Sequence, residues 1–119
     1  MPDLDNINLP PVVTGETWSG MSVTITSSDD TKYANTLTRV IMSFKDQSGA
    51  IALNLDSNDA GEITINTATA YAWAFTVEPR LLSIAASFYT WAIQVNDSGN
   101  VVDKDWVKGT LQVIADPHV

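Results

Sequence analysis

The chain contains no cysteine, which removes disulfides, thiolate metal sites and cysteine nucleophiles together. Its single histidine is His118, beside Pro117 at the end of the sequence. Nothing there fixes a tautomer or a position, so it makes a poor general base, and a hydrolytic triad finds no other imidazole. Six basic residues stand against fourteen acidic ones, for a net charge of −8. The clustered Lys and Arg that neutralise phosphates are missing, so nucleic acid is not expected as a partner. The same charge disfavours anionic membrane surfaces. No apolar run is long enough to span a bilayer, and Met1-Pro2-Asp3-Leu4-Asp5 lacks the basic-then-apolar build of a signal peptide. The expectation is a chain made in the cytosol and soluble there. The six glycines are isolated, which leaves no phosphate-cradling loop, and no heptad or amphipathic helix is long enough for a coiled coil.

What is present is β grammar. At 119 residues, 45% hydrophobic and 17% charged, the chain has the size and composition of one globular domain. Twice a hydrophobic alternation enters an Asp/Ser/Gly turn and leaves as another alternation. The first copy is Val40-Ile41-Met42-Ser43-Phe44-Lys45, Asp46-Gln47-Ser48-Gly49, Ala50-Ile51-Ala52-Leu53-Asn54-Leu55. The second is Phe88-Tyr89-Thr90-Trp91-Ala92-Ile93-Gln94-Val95, Asn96-Asp97-Ser98-Gly99-Asn100, then Val101 onward to Val113. Both read as antiparallel β-hairpins. Without disulfides such a domain must hold by packing, and the four tryptophans, Trp18, Trp73, Trp91 and Trp106, are the expected means.

Along the chain, residues 1–11 read as an extended arm, either a disordered terminus or one whose apolar residues Leu4, Ile7 and Leu9 anchor it to a neighbouring subunit; residues 12–119 read as the sandwich domain. Met21, Val23 and Ile25 alternate with Ser22, Thr24 and Thr26 in a first strand. Val40, Met42 and Phe44 face the core in the next, and Ile51, Leu53 and Leu55 continue after the turn. Ile63 and Ile65 form a short strand, the Ala/Thr-rich segment 66–71 is ambiguous, and Trp73, Phe75 and Val77 form another strand ending before Pro79. Residues 78–84 read as a single helical turn with Pro near its start. Tyr89, Trp91, Ile93 and Val95 share one face of the strongest strand. Val107, Gly109, Leu111 and Val113 share a face of the last, which runs from about Trp106 to Ile114. The sum is about seven strands, the count of an all-β, immunoglobulin-like antiparallel β-sandwich.

Candidate sites are few. Acids sit almost entirely in turns, where they serve solubility and capping rather than paired-carboxylate hydrolysis. Asp56, Asp59 and Glu62 surround Gly61 in a loop whose oxygens would suit Ca²⁺, and Asp97, Asp103 and Asp105 form a second group across the last hairpin. Turn chemistry uses the same residues, so no metal or other cofactor is assigned. Trp73 and Trp91 lie in apolar alternations and are most simply core. Trp18 and Trp106 have mixed neighbours that leave partial exposure open, and burial or a subunit contact is expected for them in preference to a sugar.

The order of these motifs resembles a domain of tailed-phage structural genes, the N-terminal domain of the siphophage upper baseplate protein and its stand-alone immunoglobulin-like relatives. The resemblance runs from Gly15-Glu16-Thr17-Trp18 through the 40–49 hairpin to Asp59-Ala60-Gly61-Glu62-Ile63-Thr64-Ile65. It continues through Leu81-Leu82-Ser83-Ile84 and the 89–99 strand and turn to Gly109-Thr110-Leu111-Gln112-Val113 and Asp116-Pro117. It implies a virion part and not an enzyme, assembled in the host cytoplasm with other phage structural proteins or copies of itself. The helical and receptor-proximal parts of the baseplate protein have no counterpart in this sequence. Tail, baseplate or fibre attachment is therefore the expectation ahead of receptor binding, with capsid decoration or a carbohydrate-binding module as alternatives. Leu4, Ile7, Leu9, Trp18 and Trp106 are the expected partner-contacting residues.

Overall fold

Alternating apolar residues bury one face of each strand and leave the other wet, and the two resulting faces must close on each other. The computed structural model describes residues 7–26 and 31–115. In chain order the strands are β1 (Ile7–Asn8), β2 (Val12–Val13), β3 (Thr17–Trp18), β4 (Met21–Thr26), β5 (Leu37–Lys45), β6 (Ile51–Asp56), β7 (Ile63–Thr69), β8 (Ala72–Val77), β9 (Arg80–Leu81), β10 (Ser87–Asp97) and β11 (Val102–Ile114). A single 3₁₀ turn, Thr31–Tyr33, is the only helical element among the described residues. Seven strands have six residues or more.

The larger sheet has the order β1-β11-β10-β5-β6, with β2 also on β11. The second has the order β4-β8-β7, and β3 pairs with β9 in a two-stranded ribbon. Pairing is antiparallel except for β1 and β2, which run parallel to β11. Burial follows the alternation: Val40, Met42 and Phe44 of β5, Trp73, Phe75 and Val77 of β8, and Tyr89, Trp91, Ile93 and Val95 of β10 all face inward.

Aromatic rings join the sheets. Phe75 of β8 lies 5.8 Å from Trp106 of β11, and Trp18 meets Phe44 edge-on at 5.8 Å. Tyr33 meets Trp73 edge-on at 4.9 Å. Three of the four indole N–H groups also find acceptors: Trp73 donates to the Asn35 carbonyl at 3.0 Å, Trp91 to the Thr110 carbonyl at 3.2 Å and Trp106 to the Tyr33 hydroxyl at 3.3 Å. A buried aromatic ring removes roughly 150–250 Å² from water. At about 25 cal/mol per Å² that is an upper bound of roughly 4–6 kcal/mol each. Four such rings outweigh the roughly 2–4 kcal/mol of a typical disulfide.

Several expectations are corrected. Residues 78–84 form no helical turn. Their backbone groups instead pair with residues 15–18, Leu82 N–H donating to the Glu16 carbonyl at 3.1 Å and Gly15 N–H to the Leu82 carbonyl at 2.7 Å. For Trp18 and Trp106, burial is the alternative that holds; they are 4% and 5% exposed. For Trp106 the reason is a bulge. Ile93 pairs with Val107 but Val95 with Asp103, so three residues of β11 oppose one of β10, and consecutive Trp106 and Val107 both turn inward. The described start of the arm, residues 7–9, runs along β11. Ile7 pairs with Gly109, the Leu9 N–H donates to the Thr110 carbonyl at 3.0 Å, and Leu9 packs on the core. Ile7 and Leu9 thus pair within their own chain, while Leu4, Asp116, Pro117 and His118 lie outside the described residues. Ile51, expected on the core face, is 60% exposed, because a register shift opposite Lys45 breaks the alternation.

The ambiguous segment 66–71 completes β7 and a tight turn into β8, since Thr69 pairs with Ala72. Tyr71 adopts a left-handed backbone (φ 63°), and its N–H is held by the Tyr33 carbonyl at 2.6 Å. Gly20 is required by space as well as by its φ of +75°, because a Cβ there would lie 2.1 Å from the Val77 carbonyl oxygen.

If Trp106 couples the sheets, Trp106→Ala will lower unfolding stability by about 3–5 kcal/mol, read as a reduced midpoint in urea with a preserved far-UV β spectrum. A loss below about 1 kcal/mol, the range of an exposed position, would show that the ring is not buried.

Candidate functional site

The acidic loops are engaged in structural hydrogen bonds. Asp56, buried at the end of β6, takes a two-pronged bond from Arg39 of β5: Nε donates to Oδ1 at 3.0 Å and a terminal nitrogen to Oδ2. Asn58 N–H donates to the same Oδ1 at 3.0 Å, and Glu62 Oε1 accepts the Asp56 N–H at 2.9 Å. A guanidinium therefore sits on the carboxylate that a Ca²⁺ loop would need. Asp97 Oδ1 accepts the N–H of Gly99 at 2.8 Å and of Val101 at 3.2 Å. Asp46 Oδ1 accepts from Ser48 N–H and hydroxyl and from Ala50 N–H at 2.9, 2.6 and 3.1 Å. The two Asp/Ser/Gly motifs are thus matching hairpin caps. Among the described residues no three of His, Asp and Glu gather as metal ligands.

Hydrogen bonds set the electrostatics. The Arg39 guanidinium, and then the Asn58 N–H, hold the Asp56 carboxyl below its ordinary range in spite of its burial. The hydroxyl of Ser48 and the turn's N–H groups do the same for Asp46. Burial, and after it the charge of Asp46, raises the Tyr89 phenol.

The open space that remains lies on the outside of the larger sheet. A shallow groove of about 270 Å³ is lined by Ser43 and Lys45 of β5, Thr90 and Ala92 of β10, and Lys108 and Thr110 of β11. Register explains it. Ala92 pairs with Ser43 on one side and Lys108 on the other, and Thr90 pairs with Lys45 and Thr110. Small side chains make the floor while two lysines stand diagonally at its rims. A second groove of about 370 Å³ runs between the 9–13 segment and residues 16–20. Among the described residues no helix is long and apolar enough to cross a membrane.

The chain matches no family model, no curated protein and no solved structure.

The expected partner residues do not converge: Trp18 and Trp106 are core, Leu9 packs on the core, and Ile7 sits in β1. Sequence reading missed the Arg39–Asp56 pair and the lysine groove. The polar positions of the 40–45 and 88–95 alternations already marked the groove's floor. Only the pairing register brings Lys45 and Lys108 to the same face.

Because the folded carboxyl of Asp56 titrates below its unfolded value, the stability it contributes is full above the ordinary carboxylate range, about pH 4, and disappears as pH falls through the depressed value. Thermal melts of wild type and Asp56→Asn should differ most at neutral pH and converge in acid. A gap that stays constant into acid would show that the Arg39 bond does not depend on the charge of Asp56.

Proposed function

We propose that this chain is an immunoglobulin-like structural part of a tailed-phage virion, in the tail, baseplate or fibre-attachment region, acting by assembly with other phage structural proteins or copies of itself. The strand order supports the finer fold reading. The sheet β4-β8-β7 corresponds to strands B, E and D of an immunoglobulin sandwich, and β6-β5-β10-β11 to C′, C, F and G. Tyr89, near the start of the strand matching F, donates its hydroxyl to the Ala85 carbonyl at 2.5 Å, as a tyrosine corner does. Trp91 stands where an antibody domain has its second disulfide cysteine, so ring packing replaces the covalent bridge.

The observation that carries the assembly reading is a division of labour. Carboxylates turn into hairpins and onto Arg39, whereas Phe88 and Ile114 stand 59% and 41% exposed on the outer face of the larger sheet. Exposed apolar side chains beside a polar groove suit a protein contact. The carbohydrate-binding alternative relied on exposed Trp18 and Trp106, and their burial takes away its stacking rings.

Immunogold labelling of purified virions of the source phage, with antibody raised against the recombinant domain, tests this proposal. Gold at the tail or its tip is the expected outcome, and gold over the head would move the chain to capsid decoration. Unlabelled particles with a negative immunoblot would remove the virion reading.

A further inference from the structure

We propose that the Lys45–Lys108 groove is the docking site for an extended acidic segment of a neighbouring structural protein, a proposal that rests on the assembly reading and specifies the chemistry of its partner. The two lysines sit one row and two strands apart, which places their Cα atoms about 12 Å from each other. Long flexible stems let both ammonium groups lean over the small floor between them. Both side chains are exposed, and neither makes an ion pair among the described residues. The nearest acid in sequence, Asp46, has its carboxylate turned into the hairpin. Asp56 pairs opposite Ile41, four positions along β5 from Lys45, or about 14 Å. That exceeds the screening length of about 8 Å at physiological ionic strength. Asp46 and Asp56 thus spend their carboxylates on other groups, and neither forms an ion pair with Lys45 or Lys108.

The shape selects among anionic ligands. The floor carries the small side chains of Ala92, Ser43 and Thr90, so a strand can lie across it with carboxylates reaching alternate rims. Phe88 lies two residues before Thr90 on the same face, and Ile114 lies two residues beyond its partner Gln112. They extend the groove into an apolar shelf for the segment's uncharged side chains. Among the described residues all four tryptophan rings are buried, leaving none to stack on an acidic sugar.

The test is an amide-resolved NMR titration of the full chain with a short peptide of alternating Glu and Val, and separately with a sulfated oligosaccharide. The peptide should shift amides at 43–45, 90–92 and 108–110, more strongly at low salt. The double variant Lys45→Glu/Lys108→Glu should fold normally and bind roughly tenfold more weakly or worse. The single variant Phe88→Ala should weaken the peptide while leaving the lysine shifts in place. Absence of shifts at these amides, equal binding by the folded double variant, or response only to the oligosaccharide would each overturn the proposal. Incorporation of the double variant into virions separates it from the assembly reading. If wild type enters particles and the double variant enters equally well, the groove is not the dock although the chain is a virion part. If wild type itself does not enter, the assembly reading fails, and the titration alone decides whether the groove binds acidic peptides.

Discussion

The bulge in β11 that turns Trp106 inward is the constraint on which most of the domain depends. Strict alternation would have put Trp106 outside if Val107 is inside. Two consecutive buried residues appear only because β11 carries extra residues opposite β10. The ring then reaches Phe75 in the other sheet and donates to the Tyr33 hydroxyl, and Tyr33 in turn packs on Trp73. That run of aromatic contacts links β11, β8 and the 3₁₀ turn, doing by dispersion and area burial what small β domains often do with a covalent bridge.

With the interior so occupied, the polar groups fall into two kinds. Most acids stabilise turns: Asp46 and Asp97 cap their hairpins, and Asp56 ties the 56–62 loop to β5 through Arg39. These bonds hold the ends of β5, β6, β10 and β11 in register, and the register positions the outer face. Lys45 and Lys108 belong to the second kind, exposed charges with no ion pair among the described residues. A sheet face with free cations, a small-residue floor and an apolar shelf is chemically suited to a partner and unhelpful to the isolated domain. The other end of the same sheet behaves differently. There β1 and β2 lie along β11 and cover the edge with the chain's own backbone, which limits open-ended strand pairing at that side.

Much of the fold was legible because period two is a strong signal. The core faces of 40–44, 73–77, 89–95 and 107–113 follow directly from alternation. What alternation does not encode is where it breaks. The bulges opposite Lys45 and near Trp106 exposed Ile51 and buried Trp106, and neither shows in local composition. Residues 78–84 carry a helix-like Pro and leucine pattern, yet tertiary pairing with residues 15–18 overrides that local preference. The pairing of residues 7–8 along β11 was not legible, because a polar, proline-rich segment gives no hint of a parallel edge pairing. The site was legible only in part. The turn positions of Asp46, Asp56 and Asp97 were legible, and the first and last bond to their own turns, whereas the bond from Arg39 to Asp56 depends on the register of β5 and β6.

The most direct measurement is fluorine NMR of the chain carrying 5-fluorotryptophan, with each resonance assigned by single Trp→Phe replacement and exposed to a soluble paramagnetic relaxation agent. A domain held by buried aromatic contacts will show four dispersed resonances, all weakly affected by the agent, with that of Trp106 moving when Phe75 is replaced by leucine. Strong broadening of the Trp18 or Trp106 resonance would place that ring in solvent. It would contradict the aromatic linkage between the sheets and return those rings to the surface as binding residues.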